Sequence, residues 1–125
     1  MSKELGKYPV KFRIRDIGET RGELIRIKAP KTAEKVWRSL PITAKANLWK
    51  EEVYFSIGIG LGREKPSKTA AKGDIAYWPM GDALCVFFGD TQPYSDVNIC
   101  GRITGDIEIF SKVKSGQTIM LEKAE

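Results

Sequence analysis

Val10, Phe12 and Ile14 alternate with Lys11, Arg13 and Arg15, the period of two expected of a strand with one apolar and one wet face. Gly18-Glu19-Thr20-Arg21-Gly22 reads as a turn, and Leu24-Ile25-Arg26-Ile27 as the strand that completes a hairpin. The period then changes. Ala33, Val36, Trp37 and Leu40 fall at i, i+3, i+4 and i+7, which predicts an amphipathic helix. Pro30 or Thr32 supplies its start, Glu34 suits the positive end of the helix dipole, and Pro41 stops it. Strands are expected at about 42–49 and 52–57. Gly73–Trp78 reads as a strand running into the turn Pro79–Asp82, followed by strands at Ala83–Gly89 and Val97–Ile103. A short turn or helix is expected near Asp106–Phe110, and Thr118–Glu122 as the last strand.

Many short strands with one or two short helices, and no internal repeat, point to a mainly β protein built as a small closed barrel. Closure removes sheet edges, which suits a monomer or a weak homo-oligomer. The length of 125 residues fits one domain, 1–125, with its core over about 9–123. Met1–Lys7 contains no apolar run, so no signal peptide is expected. No stretch approaches the roughly 20 apolar residues of a membrane span. The expectation is a soluble cytoplasmic protein with no membrane association.

The candidate chemistry is limited by what the chain lacks. It contains no histidine, so Ser–His–Asp and Cys–His systems and histidine metal sites are excluded. The two cysteines, Cys85 and Cys100, are too few for a four-thiolate zinc site, and neither a metal nor a cofactor is expected. Both fall in strands read as neighbours, where a disulfide is conceivable; two buried thiols are the expected state in a reducing compartment. Gly58-Ile59-Gly60-Leu61-Gly62 resembles a phosphate loop but lacks its Gly-Lys-Ser/Thr ending and reads as a bulged loop continuing to Lys68. The net charge of +5 is unevenly spread: residues 1–50 carry +8 and residues 51–125 carry −3. That basic half raises nucleic-acid binding as one alternative, but the cations sit at the wet positions of strands and no nucleic-acid motif accompanies them. Few Asn and Gln beside many Lys and Glu hint at a thermophilic source.

Several segments resemble the cyclophilins, in cyclophilin order. Leu24–Glu34 resembles the strand leading into an Ala-Pro-Lys-Thr-x-Glu helix that plugs one barrel end; Phe87-Phe88 resembles that family's paired phenylalanines; Val97–Ile103 and Asp106–Phe110 resemble a later strand and the short helix after it. The run Gly73–Thr91, with its Tyr77-Trp78-Pro79 and Phe87-Phe88-Gly89, resembles the small prokaryotic cyclophilin-like proteins of the Thermotoga type. That resemblance implies a minimal eight-stranded barrel and no established activity. It also implies what is missing. Phe55 falls where a cyclophilin isomerase carries its catalytic arginine, Ile59-Gly60-Leu61-Gly62 replaces the Phe-Met-x-Gln-Gly-Gly-Asp run, and Gln92 and Val97 fall near the groove tryptophan and histidine. Only the groove phenylalanine is matched, by Phe88. Twisting a prolyl amide over a barrier of about 18–20 kcal/mol needs a preorganised donor, which Phe55 cannot supply, so prolyl isomerase activity is not expected.

Tyr54, Phe55, Tyr77, Trp78, Met80, Phe88 and Tyr94 are aromatic or soft side chains able either to line a groove on the barrel wall or to fill the barrel itself. The groove expected here comprises Phe55, Trp78, Met80, Phe88 and Gln92, with Phe88 looking outward if Phe87 is core. Asp82 and Asp90 flank one strand and read as turn caps. The sequence therefore predicts a non-catalytic barrel that binds a peptide or a small apolar ligand. A weak or altered isomerase and nucleic-acid binding are the alternatives.

Overall fold

A computed structural model describes residues 6–124; residues 1–5, on which the expectation about a signal peptide partly rests, lie outside them. Nine strands form one sheet: β1 (Lys7–Ile14), β2 (Gly18–Ile25), β3 (Ile42–Lys45), β4 (Asn47–Trp49), β5 (Glu52–Ser56), β6 (Asp74–Trp78), β7 (Ala83–Phe87), β8 (Asn98–Ile103) and β9 (Thr118–Lys123). Helix α1 (Pro30–Ser39) follows β2, and a 3-10 turn spans Ile107–Lys112. The strand order is β3-β9-β1-β2-β8-β6-β7-β5-β4, with every pair antiparallel.

The two ends of that order are one stretch of chain. β3 pairs with β9 and β4 with β5, and only Ala46 separates them. Ala46 is fully buried, donates its N–H to the Gln117 carbonyl (2.8 Å) and accepts from Gly116 N–H (2.8 Å). The strand expected at 42–49 thus bends at a small residue and changes partners, nearly closing the sheet into a barrel. Counting it once gives the expected eight strands; its division at Ala46 gives nine.

Alternation decides what faces inward. Val10, Phe12 and Ile14 of β1, Val53 and Phe55 of β5, and Leu84 and Val86 of β7 join one interior cluster. The helical segments plug opposite ends. Trp37 of α1 meets Tyr8 near the start of β1 (ring centroids 5.1 Å), whereas Phe110 packs edge-on to Phe12 (5.4 Å) and Ile109 lies against Gly18 at the hairpin end. No side chain of α1 caps its first turn. Glu64 of a distant loop does so, accepting from Lys31 N–H (2.9 Å), Thr32 N–H (2.8 Å) and Thr32 Oγ1 (2.8 Å).

Two local expectations are corrected. Gly18–Gly22 is not a turn but the first part of β2; the chain reverses at Arg15–Ile17, where Asp16 takes a φ of 67°. The β1–β2 pairing runs from Lys7↔Ile25 to Ile14↔Gly18, so the glycines lie within the ladder. Cys85 and Cys100 do not occupy neighbouring strands, because β6 lies between β7 and β8. Cys100 joins the interior cluster and Cys85 a second one on the outer face, and both are free, buried thiols. Among the described residues no helix is long and apolar enough to cross a membrane.

On the basic β1–β2 face, acids stand beside the cations. Arg13 Nε lies 3.1 Å from Glu122, and Lys11 Nζ lies 3.7 Å from Glu19. In each pair one partner is exposed and the other half-buried.

Candidate functional site

The outer face of β5, β7, β6 and β8 carries the second apolar cluster: Ala76, Cys85, Phe87 and Val97, with Tyr54, Trp78, Ala70 and Ile99 around it. In β5 the parity is explicit. Val53 and Phe55 point inward, and Glu52 and Tyr54 are left on the outer side. Trp49 is the cross-strand partner of Glu52 in the β4–β5 hairpin, so it stands on the same side. Trp78 ends β6 beside them, and the loop after β7 brings Pro93, Tyr94 and Val97 over the top. The result is a cavity of about 220 Å³.

Four rings wall it in a chain of edge-to-face contacts. The centroids of Tyr54 and Trp78 are 5.7 Å apart, those of Trp78 and Tyr94 6.0 Å, and those of Tyr94 and Trp49 5.5 Å. The sheet and the loop fix this arrangement. Trp78 Nε1 donates to Ser95 Oγ at 2.6 Å. Its ring lies over Gly81, where a Cβ would overlap the indole. The covering loop is tied down at Val97, which pairs with Ser67 (N–H to carbonyl, 2.8 and 3.0 Å), and at Gln92, whose side chain spans to Ala70 N–H (3.1 Å) and carbonyl (3.3 Å). Glu51 secures its first turn, accepting from Asp90 N–H at 3.0 Å.

Glu52 is the one ionisable carboxyl in the cavity lining. It is only 5% exposed, and its Oε1 has no hydrogen-bond partner. Burial pushes its pKa up, and the Cys85 thiol, donating to it, offsets this in part. Deep burial first, and then the neighbouring Glu52, push the Cys85 thiol well above its ordinary range.

In the turn that closes the β6–β7 hairpin, Asp82 organises the glycine-rich loop. Its Oδ1 accepts from Tyr77 Oη (2.6 Å), Ile59 N–H (3.0 Å) and Gly60 N–H (3.0 Å). Burial raises the Asp82 carboxyl, but those three donors outweigh it and hold the pKa below the usual aspartate value. Burial, with Asp82 alongside, pushes Tyr77 up to about 12. The loop amides that resembled a phosphate cradle are thus taken by a side chain of the protein itself.

The structure places the expected groove residues in different regions. Trp78 lines the cavity. Phe55 does not: it is fully buried inside the barrel, since neighbours on a strand face opposite ways and Tyr54 takes the outer side. Phe88 is half-buried against the interior cluster, while Phe87 belongs to the outer one, which reverses the expected orientation of the pair. Met80 is 71% exposed and borders an adjoining cleft with Leu61, Arg63 and Asp96. Gln92 ties the covering loop to residue 70 without lining the cavity. Trp49, Glu52, Pro93 and Val97 were not legible as site residues. Trp49 and Glu52 share the outward parity of Tyr54, which was the available signal.

Arg63 lies in the adjoining cleft, 3.8 Å from Asp96, and among the described residues no Lys or Arg lines the aromatic cavity. Arg102 lies in a different cleft, with Lys28 and Asp74.

Comparison with known proteins places this architecture. The solution structure of the hypothetical protein AF2241 from Archaeoglobus fulgidus is similar over 99% of this chain and 100% of that one, with 30% identity and a TM-score of 0.81. The structure of McbB in complex with tryptophan matches 91% of this chain and 44% of that longer chain, with 14% identity and a TM-score of 0.78, a likeness of fold. No curated protein matches the sequence. The Cyclophilin-like family matches residues 9–122, and the chain belongs to that family.

Proposed function

We propose that this barrel is a binding module that holds a small ligand, or one side chain of a peptide, in the aromatic cavity on its outer face, without prolyl isomerase chemistry. The observation that carries this reading is the chain of four rings, Tyr54–Trp78–Tyr94–Trp49, standing around open space. Apolar concavities with a few convergent polar groups are the usual sites of ligand binding. Phe55 fills the interior at the position where the resemblance asks for a catalytic arginine, and the cavity offers no guanidinium to a prolyl amide. McbB, solved in complex with tryptophan, lends support by fold analogy alone. The test is a titration of proline-containing peptides and small aromatic compounds, followed by tryptophan fluorescence. Binding is expected in the native protein and about tenfold weaker, or 1.4 kcal/mol, in Trp78→Leu. Equal affinity in both proteins would remove the cavity from consideration.

A second reading, an altered isomerase, draws on Arg63 beside Met80 in the adjoining cleft. A coupled assay on an alanyl-prolyl peptide decides it: a rate equal to buffer eliminates this reading, and a rate abolished by Arg63→Ala would favour it over the first.

A further inference from the structure

Glu52 is a poor fit to a purely apolar pocket. Its residue lines the cavity at only 5% exposure, its Oε1 is buried without a donor, and the Cys85 thiol beside it is a weak donor. A buried acceptor left unpaired is costly, so the site favours an occupant that brings a donor. The rings around it specify the charge of that donor. The faces of Trp and Tyr are electron-rich and attract cations, most strongly where water is excluded. Trp49 already carries one: Lys50 Nζ lies 5.2 Å from its ring centroid. Among the described residues neither Lys nor Arg lines the cavity to neutralise Glu52 from within.

Resting on the binding reading above, we propose that the ligand is a small organic ammonium ion, its N–H turned to the Glu52 carboxyl and its carbon frame packed against Trp49, Tyr54, Trp78 and Tyr94. A quaternary ammonium fits less well, because it has no N–H to offer the Glu52 carboxyl. A neutral alcohol satisfies the oxygen but gains nothing from the ring faces or the carboxylate charge. A ligand carboxylate meets a like charge. The cavity's volume of about 220 Å³ suits a compact free amine.

The experiment compares phenethylammonium chloride with phenethyl alcohol, which share a carbon frame, by calorimetry on the full chain at neutral pH. Native protein is expected to bind the ammonium at least tenfold more tightly. Glu52→Gln is expected to erase that preference while keeping the alcohol's affinity. Glu52→Asp, which keeps the charge but withdraws it by one methylene, is expected to weaken only the ammonium. Thermal melts establish that each variant is folded. Equal affinity for the two probes in native protein, or a preference that survives Glu52→Gln, overturns the proposal and leaves the binding reading standing. Binding of neither probe by folded protein, at concentrations where other aromatic compounds bind, overturns it as well. Failure of every compound removes both. A peptide bearing an Nε-methyllysine that binds where the free amine does not would contradict the small-ligand assignment.

Discussion

The inside of the barrel and the cavity on its outer wall are built from the same strands and obey different rules. β5 supplies both. Its inward residues, Val53 and Phe55, are fully buried, apolar and in contact with residues from across the barrel. Its outward residues, Glu52 and Tyr54, line a cavity walled by rings that stand edge to face, and Glu52 keeps one buried carboxyl oxygen without a partner. The interior is a closed packing problem already solved by the chain. The outer cavity leaves groups unsatisfied that another molecule would satisfy. Stability and binding are thus separated by a single residue step along one strand, and substitutions on alternating positions ought to affect one property and spare the other.

The largest effect is expected inside. Phe55→Ala removes a fully buried ring and is expected to cost about 3–5 kcal/mol in urea denaturation. A cost below 1 kcal/mol would mean that the interior is not packed as described. Asp82→Ala is expected to cost about 1–3 kcal/mol, since it strips a partner from Tyr77 Oη and from two loop amides. The sign of its pH dependence follows from the lowered pKa. The folded state prefers the ionised carboxylate, so the stabilisation is complete at neutral pH and fades as pH falls below the ordinary value of about 3.9. Denaturation at pH 7 and pH 3 is expected to show the Ala variant's deficit shrinking at the lower pH. A deficit independent of pH would assign the cost to the left-handed φ of 49° at this residue instead.

The smallest effect has the opposite direction. Glu52 has a raised pKa, so ionisation disfavours the folded state as pH rises above the unfolded value of about 4.3. Glu52→Gln is therefore expected to be neutral or to stabilise by about 1 kcal/mol at pH 7, with the gain vanishing below about pH 4. A buried carboxylate that was part of the structural frame would instead lose stability on that change.

Much of the barrel was legible because its signals are local. Period-two alternation marks β1, period 3.6 marks α1, and the order of cyclophilin-like segments fixes the topology. The turn between β1 and β2 was misplaced because Gly18 and Gly22 are strand glycines. At Gly22 a Cβ would come within 2.8 Å of the Arg102 carbonyl across the ladder, so its role is close approach to β8 and not reversal. Of the five expected groove residues only Trp78 lines the cavity, although Tyr54 and Tyr94 stood in the wider aromatic set. Phe55 and Phe88 were assigned to it by residue type, whereas strand parity sends each toward the interior. Glu52 reads in sequence as an ordinary wet position. The loop of Pro93, Tyr94 and Val97, about forty residues away, lines the same cavity, and no local pattern carries that proximity.

The three tryptophans make the central claim directly measurable, because they report on separate places: Trp37 in the barrel-end plug, Trp49 and Trp78 in the cavity wall. Nitrogen-15 spectra of the indole N–H groups, recorded during titration with phenethylammonium chloride, are expected to show Trp49 and Trp78 moving together to saturation while Trp37 stays in place. Movement of Trp37 alone, or of all three equally, would contradict a ligand site on the outer wall.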